Sequence, residues 1–346
     1  MILQELEYEG FRNLMDAKLS FCAGLNIITG DNGAGKTNLL EAIFFSAYGT
    51  SFRTHDDRNM VKFNAPFMRV TGFAPTTMAT IFYNGTKKLA INGNEKQRLS
   101  EYIGWLPCVV MSVNDIWIIR GAPVKRRNFL DWLLIKIHPV YGANLSEYRK
   151  ILRQRNALLR QNPSRDLLEI YNHQFVHWAN LIYEERLSIL PYLQEKIKTI
   201  GRMLGLDEIS FEYFSSAPDL KITLDDLKKN ESKDLERSET TIGPHRDDFI
   251  IKINGRSAQK YASQGECRLL AILLRLIECE IIKQKTNQEP VYLLDEVTGE
   301  LDHAHRKKIF ELIRGQIFFA TVQDLDDLPF VERKKIVLKR GAIAIS

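Results

Sequence analysis

The sequence contains few cysteines, no long apolar run and no basic leader segment. Its four cysteines, among 346 residues, are widely separated and form no C-x-x-C pair. This usage argues against a disulfide framework or a zinc ribbon and favours a reducing compartment. No segment approaches the ~20 consecutive apolar residues that span a bilayer. The N-terminus, MILQELEYEG, carries acids and no basic segment, so we expect neither a signal peptide nor a membrane location.

The positive charge of the chain is small overall but unevenly distributed. The formal net charge is +5, yet from Lys125 to Arg165 ten basic residues face only two acids, Asp131 and Glu147. Basic clusters of this kind neutralise nucleic-acid phosphates and release counterions. A solvated helix face would explain the cluster equally well. The DNA-binding candidates within it are Lys125, Arg126, Arg127, Arg149, Lys150, Arg153, Arg155 and Arg160.

The order of predicted elements indicates an α/β head with an inserted, mostly helical arm. Short apolar runs bounded by turn residues predict strands and helices before residue 108 and after residue 240. Apolar residues recur every three or four positions from about 128 to 206, which predicts helices that break near Pro163 and Pro191. We therefore assign 1–108 and 240–346 to the head and 109–239 to the arm. Within the arm, the charged stretch 217–239 reads as a flexible or surface connection.

A glycine-rich loop predicts a phosphate-binding site. The segment GDNGAGKT matches G-x-x-x-x-G-K-[ST], follows a strand-like run and opens a helix. Its glycines allow backbone N–H groups to point at phosphates, and the helix N-terminus adds partial positive charge. Lys36 could reach the β- and γ-phosphates, while Thr37 could ligate Mg²⁺. The predicted ATP and Mg²⁺ site comprises Gly30, Asp31, Asn32, Gly33, Ala34, Gly35, Lys36 and Thr37.

A second segment supplies the carboxylates that such a loop needs. VYLLDE begins with four apolar residues and ends in two acids, as expected for a buried parallel strand. We expect Asp295 to hold the Mg²⁺ shell together with Thr37. Glu296, the next residue, could orient or deprotonate the attacking water.

A third segment predicts that the site is completed by a second copy of the chain. Ser263, Gln264, Gly265 and Glu266 start a long apolar helix, and a helix start of this composition can bind a γ-phosphate. In ATPase folds that use it, this helix start lies far from its own phosphate loop, so Ser263 would act in trans. The loop Gly299–Asp302, with Asp302 at its end, resembles the loop that crosses the dimer interface in these ATPase folds. Along the chain, the phosphate loop is followed by the S-x-G-E helix start, the LLDE strand and the ELD loop, and four elements in this order resemble ABC-type ATPase heads.

A narrower resemblance is to the RecF family of bacterial recombinational-repair proteins. It covers nearly the whole chain and rests on GFRNL, GDNGAGKTNLLEAI, SFRT, RGAPVKRRNFLDWLL, YRKILRQRNALLRQ, TIGPHRDDF, SQGECRLLAILLRL and LLDEVTGELD. The RNALL and GPHRDD segments are absent from generic ABC heads. RecF proteins resemble the heads of SMC-type ATPases, with a short helical arm in place of a long coiled coil.

The resemblance implies an ATP-dependent DNA-binding switch in a cytoplasmic, nucleoid-associated protein. An ATP-bound homodimer would clamp DNA at gaps or single-strand/double-strand junctions, and slow hydrolysis would reset it. RecO and RecR would be partners in loading the RecA recombinase. Arg12 and Asn13 would approach the nucleotide, as the matching arginine does in SMC-like heads. For His245 to Asp248, a solvated structural turn beside the nucleotide site and direct contact with the nucleotide are both open.

Some features depart from the family pattern or suggest other functions. Residues 112–116 read SVNDI where many RecF proteins read S-P-E-D-L, and Glu266 replaces a more usual glutamine. TVQD at 321–324 stands where many ABC ATPases carry a switch histidine, which agrees with slow hydrolysis. The histidines of HQFVH have the spacing of a zinc-protease helix but lack its acid, so we expect packing or surface roles. Two other functions are alternatives to the DNA-binding switch. The first is the ATPase subunit of a membrane transporter, which would lack the basic arm. The second is a nuclease-fused relative, for which too few residues follow Asp302.

Overall fold

The computed structural model describes residues 2–54, 56–161, 165–297, 303–322 and 330–344. The chain divides into two compact units, which we call the head unit (Met1–Asp115 with Arg268–Ser346) and the arm unit (Ile116–Cys267). The strands are β1 (Glu5–Glu9), β2 (Ala17–Ser20), β3 (Leu25–Thr29), β4 (Met68–Ala74), β5 (Thr77–Tyr83), β6 (Lys87–Ile91), β7 (Asn94–Lys96), β8 (Cys108–Ser112), β9 (Ile209–Phe214), β10 (Asp248–Ile253), β11 (Arg256–Ser257), β12 (Val291–Asp295), β13 (Ile317–Ala320), β14 (Arg333–Lys339) and β15 (Ala342–Ala344). The helices are α1 (Lys36–Tyr48), α2 (Leu99–Tyr102), α3 (Ile116–Arg120), α4 (Pro123–Ile137), α5 (Pro139–Leu159), α6 (Arg165–Met203), α7 (Leu224–Arg237), α8 (Ala258–Tyr261), α9 (Gln264–Thr286) and α10 (His303–Leu312).

The head unit contains two six-stranded sheets. One has the order β15-β14-β3-β13-β12-β8, in which the five strands from β14 to β8 run parallel and β15 is antiparallel. The other is antiparallel, with the order β2-β1-β4-β5-β6-β7. Helix α1 contacts strands of both sheets, and every residue from Leu39 to Tyr48 is buried. Its side chains therefore fill the core on all sides of the helix.

The parallel sheet brings the two predicted phosphate-site segments to the same edge. β3 and β12 both pair with β13 in parallel, and Asp295 at the end of β12 is in register with Ala320 of β13 and Ser112 of β8. The carboxyl ends of parallel strands meet at one edge of a sheet, which is where ligands bind in open α/β folds. The loop after β3 and the acids after β12 therefore share an edge.

The arm unit is mostly helical, as predicted, but it also carries a small sheet. Helices α5 and α6 pack along each other, and α6 also packs against β9 of the three-stranded antiparallel sheet β11-β10-β9. The arm unit runs from residue 116 to 267, whereas the sequence assigned 109–239 to it. The difference at its end arises because β10 pairs with β9, which ties residues 248–257 to the arm rather than to the head.

Two local predictions about the arm are wrong. The stretch 217–239 is not merely a connection, because Thr223 and Asp226 form a capping box that starts α7. Helix α6 runs through Pro191 instead of breaking there. Pro191 has no N–H, so the carbonyl oxygen of Leu187 loses its hydrogen-bond partner within the helix. Both residues lie on the exposed side of the helix, where Leu187 is 44% exposed. Across the described ranges, we find no helix with the length and apolar character to cross a membrane.

Candidate nucleotide site

The phosphate loop, residues Gly30–Thr37, connects β3 to α1 and depends on its glycines. Gly30 has φ of 149°, and a Cβ there would lie 2.3 Å from the Leu338 carbonyl oxygen. Gly35, with φ of 107°, precedes the first helical residue. A Cβ at Gly33 would meet nothing within 4 Å, so the middle of the loop faces open space. The first-turn N–H groups of α1 have no partner within the helix, and they are therefore available to an anion.

Lys36 and Thr37 begin α1 and connect the loop to β12. The Lys36 side chain is buried, and its Nζ donates to the carbonyl oxygens of Gly30 (2.9 Å) and Asp31 (3.2 Å). The same Nζ lies 3.7 Å from Glu296 Oε1. The Thr37 hydroxyl lies 2.9 and 3.1 Å from the two carboxylate oxygens of Asp295. The predicted members of the phosphate and metal site are thus brought together.

The Thr37–Asp295 pair fits a hard divalent cation. Hydroxyl and carboxylate oxygens are ligands that Mg²⁺ prefers. Burial raises the pKa of the Asp295 carboxyl, against the Thr37 hydrogen bond and the positive charges of Arg53 and Lys36, which lower it. A cation bound beside Asp295 would favour its ionised form, so the environment of this acid matches a metal-binding role.

Glu296 has an unusual backbone for a non-glycine residue. Its φ is 53°, and its N–H donates to the Ala320 carbonyl oxygen at 3.1 Å. The side chain is 48% exposed and lies beside Lys36. A carboxylate in this position can accept a proton from a water molecule near the phosphate loop.

Arg12 and Asn13 both reach the start of α1, but in different ways. Asn13 Nδ2 donates to the Gly33 carbonyl oxygen at 3.1 Å, so it contacts the phosphate loop directly. Arg12 donates through Nε and Nη2 to the two carboxylate oxygens of Glu41 at 2.8 and 2.6 Å. Arg12 has φ of 51°, and its side chain is 19% exposed.

Glu41 and Arg53 belong to the same cluster and were missed from the sequence. Arg53 Nη1 donates to Asn38 Oδ1 at 2.7 Å and to Glu41 Oε2 at 3.2 Å. Asn38 Nδ2 in turn donates to Asn13 Oδ1 at 2.7 Å. A signal existed for Glu41, because it is an acid inside the apolar run LLEAIFF, where an unpaired charge would be costly. The SFRT segment contained Arg53 but indicated no partner.

The signature residues at the start of α9 form a capping arrangement. The Ser263 N–H donates to Glu266 Oε2 at 2.8 Å, and the Glu266 N–H donates to Ser263 Oγ at 3.2 Å. Hydrogen bonding from the Ser263 backbone lowers the pKa of the Glu266 carboxyl. Ser263, Gln264, Gly265 and Glu266 are all exposed, and all belong to the arm unit. Asp302 and the rest of the Gly299–Asp302 loop lie outside the described residues.

The basic cluster separates into exposed and buried members. Lys125, Arg149, Lys150, Arg153 and Arg160 are exposed, and Arg127 is half-buried. Arg155 is fully buried and paired with the fully buried Asp234 at 2.8 Å. Arg126 is buried and paired with Asp248 at 2.6 Å. The assignment of Arg126 and Arg155 to DNA binding is therefore wrong, because each guanidinium is held inside the arm unit by a carboxylate.

The GPHRDD segment is built into the arm unit, where its side chains contact other arm residues. His245 lies 2.6 Å from the Tyr148 hydroxyl through Nδ1 and 2.9 Å from the Thr240 carbonyl oxygen through Nε2. Asp247 is buried and accepts hydrogen bonds from Tyr183, Arg186, Tyr213 and Ser216. These contacts make the segment a structural part of the arm unit, but the expectation of a solvated turn is wrong for Asp247, which is buried.

The remaining sequence features have local partners. Asp115, within the SVNDI segment, accepts from the Ser112 N–H at 2.8 Å and pairs with Arg275 at 2.6 Å. In the TVQD segment, the Thr321 N–H donates to the Ile28 carbonyl oxygen at 3.0 Å, while residues 323 and 324 lie outside the described residues. His177 of HQFVH packs on Trp178. No group of three or more potential metal-ligating His, Cys, Asp or Glu residues occurs within the described part of the chain.

Comparisons with known proteins give one consistent result. The sequence profile of the RecF/RecN/SMC N terminal domain family matches residues 2–323. The DNA replication and repair protein RecF of Clostridium novyi (strain NT) is 34% identical over 327 residues, covering 91% of each chain. A solved structure of the recombination mediator protein RecF-ATP in RecFOR pathway has a TM-score of 0.88 and 31% identity, covering 99% of this chain and 96% of that one.

A more distant likeness concerns the fold alone. A crystal structure of an SmcHead bound to the C-winged helix domain of ScpA has a TM-score of 0.58 at 17% identity, covering 99% of this chain and 97% of that chain. Together with the closer likenesses, it confirms the predicted α/β ATPase-head fold with an inserted arm.

Proposed function

Since the chain belongs to the RecF family of DNA replication and repair proteins, we propose that it is an ATP-operated switch that holds DNA. In this proposal, two copies close around DNA when each binds Mg²⁺ and ATP. Slow hydrolysis then reopens the pair. ATP turnover sets the duration of the DNA-bound state rather than forming a product that is needed elsewhere.

The observation that carries the proposal is the meeting of Lys36, Thr37 and Asp295 at one edge of the parallel sheet. Lys36 Nζ donates to two carbonyl oxygens of the loop, and the same ammonium group could instead donate to β- and γ-phosphate oxygens. Thr37 and Asp295 would hold Mg²⁺, which when bound neutralises phosphate charge. Glu296 would then accept the proton of the attacking water. Arg12 and Asn13 would complete the nucleotide-binding side of the loop.

The exposed start of α9 supports completion of the site by a second copy. The first-turn N–H groups of Gln264 and Gly265 and the Ser263 hydroxyl suit a γ-phosphate held by another molecule. Because Glu266 is ionised at neutral pH, it places a negative charge at the same helix start, which would weaken closure. This charge, together with the missing switch histidine in the TVQD segment, is consistent with a slow cycle.

The proposed DNA-binding stripe, which we define as Arg149, Arg153 and Arg160, consists of two exposed arginines of α5 and the exposed arginine that caps its C-terminus. Spacings of four and seven residues place these three side chains on one face of the helix. They span about 16 Å along the helix axis, enough to follow several DNA phosphates. Lys125 and Lys150 are additional exposed cations of the arm unit. Contacts of this kind position a protein on DNA without reading its sequence.

The wider cellular role is proposed from the family. RecO and RecR would join the DNA-bound dimer at gaps or single-strand/double-strand junctions, and the assembly would help load RecA in the cytoplasm. The membrane-transporter alternative is not favoured, because the basic arm and the RecF likeness extend over regions that a transporter ATPase would not share.

DNA binding in different nucleotide states tests the proposal. We expect gapped duplexes to bind more tightly than blunt duplexes, and ATP to strengthen binding relative to ADP or no nucleotide. Fluorescence anisotropy with labelled duplexes measures both effects. Equal affinity for all DNA forms in all nucleotide states would contradict a nucleotide-operated DNA switch.

A further inference from the structure

Glu41 occupies an unusual place for an acid. It lies on α1, one turn after Thr37, and its side chain has no exposed surface. Its carboxylate accepts from Arg12 Nε and Nη2 at 2.8 and 2.6 Å, from Ser51 Oγ at 2.5 Å and from Arg53 Nη1 at 3.2 Å. An isolated buried carboxylate is strongly unfavourable, so these four donors are what make the burial of Glu41 possible.

The cluster brings two cations to one anion and therefore retains a positive charge. Arginine carries five N–H donors. Arg12 uses three of them, two on Glu41 and one on the Asn59 carbonyl oxygen at 2.6 Å, which leaves two for another acceptor. Arg53 is 44% exposed, and its Nη1 donates to Asn38 and to Glu41 on α1. The Arg53 guanidinium therefore lies beside the first turns of α1, and its Nε and Nη2 donors can meet another acceptor.

A second path links Glu41 to the phosphate loop itself. Arg53 donates to Asn38, Asn38 donates to Asn13, and Asn13 donates to the Gly33 carbonyl oxygen. Each link is 2.7–3.1 Å long. A change at Glu41 therefore reaches the loop through side chains that are already in contact.

We propose that Glu41 is a positioning residue for nucleotide binding. Its buried carboxylate fixes the Arg12 and Arg53 guanidinium groups beside the phosphate loop, so that their remaining donors meet phosphate oxygens of a nucleoside triphosphate without first being ordered. The inference rests on the proposed function, because it assigns Glu41 a part in ATP binding. Glu41 itself does not touch the nucleotide.

The test compares Glu41→Gln and Glu41→Asp with the wild type, using a fluorescent ATP analogue with Mg²⁺. Glutamine keeps the size of the side chain and removes the charge, whereas aspartate keeps the charge and shortens the chain. We expect Glu41→Gln to bind the ATP analogue about tenfold more weakly, because the Arg12 and Arg53 guanidinium groups lose their charge-assisted contacts to the phosphates. Glu41→Asp should bind more tightly than Glu41→Gln. A packing role alone predicts the opposite order, and finding it would overturn the inference.

Asp234→Asn is the matched control for general destabilisation. Asp234 is also a fully buried acid paired with an arginine, but it lies in the arm unit. We expect this variant to bind ATP like the wild type when both are compared at the same folded fraction. An equal loss of ATP affinity in Asp234→Asn and Glu41→Gln would assign the effect to destabilisation and overturn the inference.

Two further variants separate the possible failures. If Glu41→Gln does not fold, Arg53→Gln takes its place in the test, because Arg53 is partly exposed. We then expect the affinity for ATP to fall at least threefold. An Arg53→Gln protein with wild-type affinity would overturn the inference. Lys36→Ala tests the proposed function independently. If the wild type binds ATP no better than Lys36→Ala, the proposed function fails. If binding depends on Lys36 but Glu41→Gln binds within twofold of the wild type, only the positioning role fails.

Discussion

The Thr37 hydroxyl and the Asp295 carboxylate lie 2.9 Å apart, although 258 residues separate them in the sequence. The parallel sheet makes this contact, because it places the ends of β3 and β12 at one edge. The whole arm unit is inserted between these two strands in the sequence. The nucleotide site therefore forms only when the two separated halves of the head fold together.

Asp295→Asn should reduce activity and increase stability. Burial raises the pKa of Asp295, so the ionised carboxylate is unfavourable in the absence of a cation. The amide removes that charge, and we expect the Tm without nucleotide to rise by about 2 °C. Mg²⁺-dependent ATP hydrolysis should be lost. Thermal unfolding and phosphate release measure the two effects, and a lower Tm would show that the carboxylate stabilises the empty site.

Asp234→Asn should destabilise the arm unit strongly. The change removes the charge partner of the buried Arg155, whose Nη1 also donates to Thr240 at 2.7 Å. Leaving a buried charge uncompensated costs about 3–5 kcal/mol. Denaturant unfolding followed by circular dichroism provides the measurement. Loss of less than about 1 kcal/mol would mean that the Arg155–Asp234 pair is not a main support of the arm.

The stability of the arm unit should fall as the pH drops from about 6.5 to about 4. Burial is the main reason that the pKa of His245 is lowered from its usual 6.5 to about 4; the nearby Arg246 and Arg127 act in the same direction, and the Thr240 hydrogen bond and Asp234 oppose them. In this pH range the unfolded state binds a proton that the folded state does not, so protons favour unfolding. Above the usual pKa the ring is neutral in both states and has no effect. The loss from this group is at most about 3 kcal/mol.

His245→Gln is the variant that isolates this pH effect. Glutamine can donate and accept hydrogen bonds but does not titrate, so the slope of unfolding free energy against pH should decrease between pH 6.5 and 4. The same slope in the wild type and the variant would show that other groups cause the acid sensitivity.

Replacing the arginines of the DNA-binding stripe with glutamine should weaken DNA binding and its salt dependence. Each lost phosphate contact reduces the slope of log K against log salt by about 0.9, so the triple variant should lose about 3 in slope. The control replaces three exposed lysines of α7, Lys228, Lys229 and Lys233, with glutamine. ATP binding should be unchanged in both variants. If the α7 control shows the same loss, general charge rather than the stripe explains the affinity.

The sequence predicted the parts of the site that depend on local pattern. The phosphate loop, the LLDE strand and the signature helix start each have a chemical reason to appear at a fixed spacing, and the structure contains each of these elements. Glu41 could not be assigned in this way, because its partners Arg12, Ser51 and Arg53 come from two other segments. A single acid in an apolar helix indicates that a partner exists but not which one.

The DNA-binding prediction failed for Arg155 because basic residues were counted without asking which face of the helix each one occupies. Tyr148, Ile151, Arg155 and Leu159 follow one another every three or four positions, and all are buried. Arg155 therefore lies on the apolar face of α5, and this could have been inferred from the sequence. The T-x-x-D capping box at Thr223 was likewise present within a stretch read as a connection. In contrast, the pairing of β10 with β9, which moves the arm boundary, leaves no local signal.

Self-association of Glu296→Gln with and without ATP tests the central claim most directly. Glutamine preserves the shape of the side chain but cannot accept the proton of water, so bound ATP should persist. By analytical ultracentrifugation, we expect a dimer with Mg²⁺ and ATP and a monomer with ADP or without nucleotide. The double variant Lys36→Ala/Glu296→Gln should stay monomeric throughout. A Glu296→Gln protein that binds ATP yet remains monomeric would contradict closure of two heads around a shared nucleotide.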